Sequence, residues 1–292
     1  MPITATSLLR VSGIEELRSA IAAARRNGAR IGFVPTMGAL HQGHLSLIDR
    51  ARAESDVVVM SIFVNPLQFG PSEDFARYPR PIEEDERLAL QAAVDVLFTP
   101  NVQDMYPEGR VITVTAGEHG TKWEGAARPG HFDGVLTVVA KLFNIVQPDI
   151  SVFGRKDLQQ ASLIKSLVRD LDFPMTIIVA PIIREPDGLA LSSRNRYLSD
   201  GERRAALSLI GSLRAASASF DSGVRGAREL EAAGHEVIDA VTDVKLDYFA
   251  VVNPETMEPE TAAHRGSAVI VAAKVGNTRL IDNVLLGDND QD

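Results

Sequence analysis

Apolar positions in the first two-thirds of the chain follow two alternating patterns. Short unbroken runs, rich in β-branched residues, are each followed by a stretch in which apolar side chains return every three or four positions. Ile31 to Val34 is the first run, and Leu45, Leu47, Ile48 and Ala51 repeat with helical spacing behind it. Asp56 to Phe63 is the second, and an acidic helical segment from Glu83 to Ala93 leads into a third at Val94 to Phe98. The same reading predicts a helix over Gly134 to Val146, a strand at Ile150 to Phe153, a helix over Asp157 to Leu171 and a strand at Met175 to Val179. A strand that is apolar along its whole length needs cover on both faces, which a parallel sheet flanked by helices supplies. The expected fold is therefore α/β, a doubly wound Rossmann-like domain.

The pattern changes after about Ile183. Arg184 to Gly188 is rich in turn formers, Ala-rich helical stretches run from Ser199 to about Ala240, and apolar runs at Lys245 to Val252 and Ala268 to Ala273 predict a small sheet. A boundary near Ile182 to Glu185 divides the chain into a larger domain, 1–183, and a smaller C-terminal α+β domain, 184–292. Asp288 to Asp292 reads as a frayed acidic tail.

Composition narrows the chemistry. The 292 residues carry a formal net charge of −9, which argues against a broad nucleic-acid surface while leaving room for a small basic pocket. With no cysteine there is no disulfide, no thiolate metal site and no acyl transfer through a protein thiol. Met1 to Arg10 has no apolar run of signal-peptide length, and no segment approaches the ~18 apolar residues of a membrane span. A cytoplasmic enzyme acting on small molecules is the expectation.

The strongest local signal is Pro35-Thr36-Met37-Gly38-Ala39-Leu40-His41-Gln42-Gly43-His44, between the first run and the first helix. Open α/β sheets bind ligands at such carboxyl ends of strands. His41 and His44 share a helical face, Gly43 leaves room beside the backbone, and the free amides of a helix start favour phosphate. The segment is neither a Walker A loop nor a G-x-G-x-x-G fingerprint, and zinc binding lacks a third ligand at a familiar spacing. A plain helix start stays open as the alternative.

Two further segments suit an anion. Gly154, Arg155, Lys156 and Asp157 sit where a strand hands over to a helix, with Lys156 as a compact cation. Leu191, Ser192, Ser193 and Arg194 combine hydroxyls, amides and a guanidinium just past the boundary. Each alone is also ordinary turn chemistry. Asn65 and Gln68 follow the second strand and suit a small polar substrate, while Glu83 to Glu86 offers carboxylates to Mg²⁺ or else is a solvated helix face. His131, in the turn before a helix, is read as backbone-ordering or ligand-binding.

Taken in order, P-T-M-G-A-L-H-x-G-H, F-V-N-P-L-Q-F, Y-P-R, R-P-G-H-F-D-G-V, F-G-R-K-D-x-Q-Q and D-G-L-A-L-S-S-R-N-R-Y-L resemble the pantoate–β-alanine ligase family. The resemblance resumes weakly at Thr278 to Asn283. It implies a two-step reaction in which pantoate and Mg-ATP give pantoyl adenylate and pyrophosphate, and β-alanine then displaces AMP to give pantothenate. It implies ATP contacts at Met37, Gly38, Ala39, Leu40, His41, Gln42, Gly43 and His44, at Gly154 to Asp157, at Ile183 and at Leu191 to Arg194. Arg155 is variable in the family and carries no role of its own. The implied catalytic groups are His44, His41, Lys156 and Arg194, with Gln68 and Gln160 on pantoate and Asn65 beside them. Glu84 and Asp85 are implied near Mg²⁺, the smaller domain as a lid, and a homodimer through the larger domain. Leu191 replaces the family's usual methionine, an apolar exchange of similar size.

A nucleotidyltransferase that joins ATP to a phosphate-bearing substrate would use the same histidines, and a non-catalytic nucleotide-binding module would keep the fold. Product analysis separates the first from the ligase, and pantoate-dependent pyrophosphate exchange separates the second.

Overall fold

The computed structural model describes residues 8–71, 73 and 75–288. By packing, the chain divides into two compact units, Met1–Gly154 with Leu163–Ala180, and Arg155–Ser162 with Pro181–Asp292.

The first unit contains six strands, β1 (Leu9–Val11), β2 (Ile31–Thr36), β3 (Val57–Ile62), β4 (Val96–Phe98), β5 (Ile150–Gly154) and β6 (Thr176–Ala180). They form one sheet in the order β1-β4-β3-β2-β5-β6, and every neighbouring pair is parallel. Its helices are α1 (Ile14–Arg26), α2 (Gln42–Glu54), α3 (Ile82–Gln91), the short α4 (Val102–Met105) and α5 (Glu124–Ala127), α6 (His131–Val146) and α7 (Leu158–Asp170), whose first residues pack with the second unit.

Alternation along the strands explains the double cover. Phe33, Val59 and Phe98 face a layer that holds Leu17 and Ile21 of α1 and Val139 and Phe143 of α6. Their neighbours Val34, Val58, Met60 and Leu97 face Leu47, Ile48 and Ala51 of α2 and Ala89 of α3. Each large buried side chain contributes roughly 1.5–3 kcal/mol, so slipping a strand by one residue gains nothing and register rests on packing shape. β1 and α1 are additions to the expected elements. Three residues are too few for a strand pattern, whereas Leu17, Ala20, Ile21 and Ala24 do repeat with helical spacing and are buried.

The chain steps from β2 outward through β3 to β4, then crosses back to place β5 on the other side of β2. The carboxyl ends of β2 and β5 therefore flank the topological switch point, the crevice where sheets of this kind take their ligands.

The second unit has an antiparallel sheet of β7 (Val244–Val252), β8 (Ala268–Val275) and β9 (Thr278–Leu285), with helices α8 (Asp200–Asp221) and α9 (Ala227–Asp239). A capping box starts α8: Ser199 Oγ accepts the Glu202 amide, and Glu202 Oε2 accepts the Ser199 amide. At Gly234 of α9 a Cβ would fall 2.1 Å from Phe249, so the missing side chain lets helix and sheet meet. β9 is an addition to the expected sheet, hidden in the sequence because Arg279, Asp282 and Asn283 interrupt its apolar positions. Of the expected tail, Asp288 is tied to Arg155 at 3.0 Å, and residues 289–292 lie outside the described residues.

Candidate active site

The loop from β2 to α2 is shaped by two left-handed residues and one buried carboxylate. Gly38 has φ +80° and Ala39 has φ +52°, and this turns the amides of Ala39 and Leu40 in the same direction. Both donate to Asp85 of α3, at 2.9 and 2.7 Å. A Cβ on Gly38 would meet Asp85 Oδ2 at 2.8 Å, so only glycine fits. Burial pushes the Asp85 carboxyl up, the two amide bonds pull it down, and the Glu84 charge raises it further; the net shift is upward.

Glu84 and Asp85, the pair expected near Mg²⁺, differ in their surroundings. Asp85 spends both oxygens on the loop, while Glu84 lies exposed in a two-bond pair with Arg87. Among the described residues no group of three His, Asp or Glu side chains is arranged to hold a metal.

His41 caps α2 and His44 is its third residue. The His41 amide donates to His44 Nδ1 at 3.3 Å, the His44 amide donates to the His41 carbonyl at 2.8 Å, and the two rings lie 4.1 Å apart. Because Nδ1 accepts, a neutral His44 carries its proton on Nε2 and presents a donor there. The first turn of α2 contains no acidic residue, although helix starts favour one. That leaves the positive end of the helix for an outside anion. Gly154 closes β5 on the other side of the switch point, and a Cβ there would touch Leu47 of α2 at 4.0 Å.

A second cluster lies in the same unit, beyond the end of β3. Asn65 is 1% exposed with all four hydrogen-bonding positions filled. Its Nδ2 donates to Gln68 Oε1 and to the Gly134 carbonyl, both at 3.0 Å; its Oδ1 accepts from the Leu67 amide at 3.2 Å and from the Tyr106 hydroxyl at 2.8 Å. Asn65, expected beside the substrate, has every donor and acceptor engaged inside and holds Gln68. Gln68 Nε2 reaches Met37 Sδ at 3.1 Å. His131 donates through Nδ1 to the Gln68 carbonyl at 2.9 Å and accepts from Arg128 at 3.0 Å, which fits the backbone-ordering reading of this residue. Arg128 also makes two 2.7 Å bonds to Glu73. Burial raises the Glu73 carboxyl, yet the Arg128 bonds and charge outweigh it and hold the pKa below the ordinary range. At Gly134 a Cβ would fall 2.2 Å from the Leu67 carbonyl, so α6 lies directly on the Pro66–Gln68 turn.

The second unit carries the remaining candidates. Arg155–Asp157 forms a 3₁₀ turn whose carbonyls at Arg155 and Lys156 accept from Asn283 Nδ2 of β9, at 2.9 and 3.1 Å. Asn283 is 2% exposed and its amide is held by Asp282, which pairs twice with Arg184. This gives a physical reason for the weak Thr278 to Asn283 resemblance: the strand braces the turn that bears Lys156. Lys156 is half-buried, with Nζ 4.0 Å from Asp157 Oδ1. Arg155, Ile183, Gly188 and Asn283 are among the residues around a cavity of about 540 Å³. Leu191 donates its amide to the Ile183 carbonyl at 2.9 Å, so these two candidates are neighbours. Ser192 Oγ accepts the Arg194 amide at 3.3 Å, and buried Asn195 ties the segment to Glu185 at 2.6 Å and to the Ala190 carbonyl at 3.0 Å. Arg194 and Gln160 are partly buried.

Tyr106 and Glu73 give no usable signal in the sequence, since their partners lie 41 and 55 positions away, and Arg128 and Asn283 enter only through the resemblance. Asp85 does give one, because it shares a buried helical face with Ala89 four residues on.

Comparison with known proteins accounts for this arrangement. The family model described as pantoate-beta-alanine ligase matches residues 10–285. A pantothenate synthetase from Moorella thermoacetica is 52% identical over 277 residues, covering 95% of this chain and 98% of the relative. One from Rhizobium etli is 50% identical over 95% of this chain and 94% of the relative. The crystal structure of pantothenate synthetase from Thermus thermophilus superposes with a TM-score of 0.90 at 48% identity, covering 95% of this chain and 99% of that one. A pantoate-beta-alanine ligase from Francisella tularensis, complexed with beta-gamma ATP and beta-alanine, gives a TM-score of 0.79 at 37% identity over 96% and 98% of the two chains. With a family match across most of its length and relatives near half identical, the chain belongs to the pantoate–β-alanine ligase family.

Proposed function

We propose a division of labour for this ATP-dependent ligase, which joins pantoate to β-alanine through a pantoyl adenylate and releases AMP and pyrophosphate. In the first step a pantoate carboxylate oxygen attacks the α-phosphorus of ATP and the bond to pyrophosphate breaks. Negative charge builds on the leaving oxygens, so donors and cations already in place lower the barrier. His44 Nε2–H and the first amides of α2 are donors, Lys156 adds a compact charge and Arg194 a guanidinium. His41 serves by holding His44. Met37 to His44, Gly154 to Asp157, Ile183 and Leu191 to Arg194 contact the nucleotide, and Gln68 and Gln160 bind the acid. In the second step the β-alanine amine attacks the acyl carbon, AMP leaves, and the amine gives up a proton.

One observation supports this reading: at the N-terminus of α2, just behind β2, the His41 amide engages His44 Nδ1, so a neutral His44 carries its proton on Nε2. The Francisella relative, complexed with beta-gamma ATP and beta-alanine, supports the substrate set. Mg²⁺ would come bound to ATP and would supply charge neutralisation at the phosphates, with Glu84 and Asp85 as the carboxylates the family resemblance implies near it. Pyrophosphate exchange into ATP is expected only when pantoate is present, and AMP release only with both pantoate and β-alanine. Exchange without pantoate, or a dinucleotide product, would transfer the chain to another reaction.

The reading includes a cytoplasmic homodimer; among the described residues no helix is long and apolar enough to cross a membrane. Val111 and Ile112 are 86% and 75% exposed on the connection between α4 and α5, apolar area that a second copy would cover. Replacing both with lysine is expected to give a monomer in sedimentation. A dimer that persists would move the contact to another surface.

A further inference from the structure

The Asn65 cluster has a direction that the assignment of Gln68 to the acid does not by itself contain. Two of Asn65's partners are backbone groups of fixed polarity. The Leu67 amide can only donate, so the oxygen of the Asn65 carboxamide must face it; the Gly134 carbonyl can only accept, so the nitrogen must face that side. The orientation of this amide thus follows from the backbone. The second N–H of Asn65 then meets Gln68, and only the oxygen of Gln68 can receive it. Gln68 is left to present its NH₂ group outward, where it rests on the thioether of Met37, a weak acceptor that a carboxylate or hydroxyl oxygen outcompetes.

The remaining lone pair of Asn65 is taken by Tyr106. Burial, only partly offset by the Arg110 charge, raises the phenol well above its usual pKa, so it stays a hydroxyl and a donor. The Leu67 bond is local and longer, 3.2 Å against 2.8 Å, which makes the tyrosine the stronger restraint on that oxygen. The Tyr106 ring itself is seated beside Phe63, 6.0 Å between centroids.

We propose that Tyr106 is a positioning residue for acid recognition: through Asn65 it fixes Gln68 with its N–H groups toward the substrate, which sets the site's preference for an oxygen-rich anion. The proposal rests on the assignment of Gln68 to the pantoate site. In this relay Tyr106 donates to Asn65, Asn65 donates to Gln68, and Gln68 donates to the acid, so the polarity of every link is the same.

The test is a double-mutant cycle in the full-length enzyme, reading KM for pantoate and for ATP in pyrophosphate exchange. Tyr106→Phe keeps the ring beside Phe63 and removes only the hydroxyl, and thermal unfolding confirms that the variant is folded. Its KM for pantoate is expected to rise roughly three- to tenfold, the scale of one lost hydrogen bond, with KM for ATP changed less than about twofold. In a Gln68→Ala background the same substitution is expected to add nothing. An unchanged pantoate KM in Tyr106→Phe, or an effect that persists in full without Gln68, overturns the relay while leaving Gln68 on the acid. A pantoate KM unaffected by Gln68→Ala removes Gln68 from the site and the relay with it. An equal rise in both KM values would mean that Tyr106 only supports the fold.

Discussion

Replacing His44 with alanine is expected to lower pantoate-dependent pyrophosphate exchange by about 10²–10³, the scale for losing one preorganised donor at a developing charge. The expectation follows from geometry. His44 Nδ1 is already engaged by the His41 amide, which restrains the imidazole and leaves Nε2 as the donor of the neutral ring. A donor fixed in advance costs no reorganisation in the transition state. The alanine variant also releases the His41 amide at the start of α2, a capping loss of about 1 kcal/mol that should show in thermal unfolding but leave the enzyme folded. His44→Gln, which keeps a donor on a longer chain, should recover part of the rate. Exchange at the wild-type rate in His44→Ala would move phosphate stabilisation to other groups.

Lys156→Ala should reduce the adenylation step by about 10² or more. The lysine sits on a 3₁₀ turn whose carbonyls are held by Asn283, so its Cα is braced while its ammonium group is not tightly paired: the nearest carboxylate, Asp157, is 4.0 Å away. An ammonium ion held close to one carboxylate would have little field left for phosphate. Arginine at this position keeps the charge but spreads it over a longer planar group, so Lys156→Arg should fall between wild type and alanine. Single-turnover measurement separates this effect from product release. Equal adenylation rates in the three proteins would show that Lys156 serves only the turn.

Most of the larger unit is legible in the sequence because its strands are apolar on both faces. Val57 to Met60 sends alternate side chains into two different cores, and such a strand has no reason to look amphipathic. The helix start at His41 is legible because glycine, two histidines and an apolar periodicity coincide. What escapes has two physical causes. β9 carries Asp282 and Asn283 at buried positions, where they brace a turn, so a strand with structural polar groups reads as a loop. Glu83 to Glu86 reads as one acidic run, although Asp85 is 1% exposed and anchors a loop while Glu84 faces water. Charge alone does not say which of four adjacent carboxylates points inward; the spacing to Ala89 does. Asn65 misleads for a related reason. A carboxamide next to a strand end suits a ligand or a backbone network equally well, and the partners that decide between them come from α6 and from Tyr106.

On the proposed assignment of Gln68 to the acid, the bare Cα of Gly134 bears on which acid the enzyme chooses. At that position helix α6 lies against the Leu67 carbonyl, and Gln68 is the next residue along, so the length of its reach is measured from a main-chain surface with no side chain to adjust. Even a methyl group there would lift the Pro66–Gln68 turn and shift the outward amide with it. Selecting for larger or smaller acids must then work through how a helix seats on a turn, and exchanging the residues that border the acid would leave the gauge itself untouched.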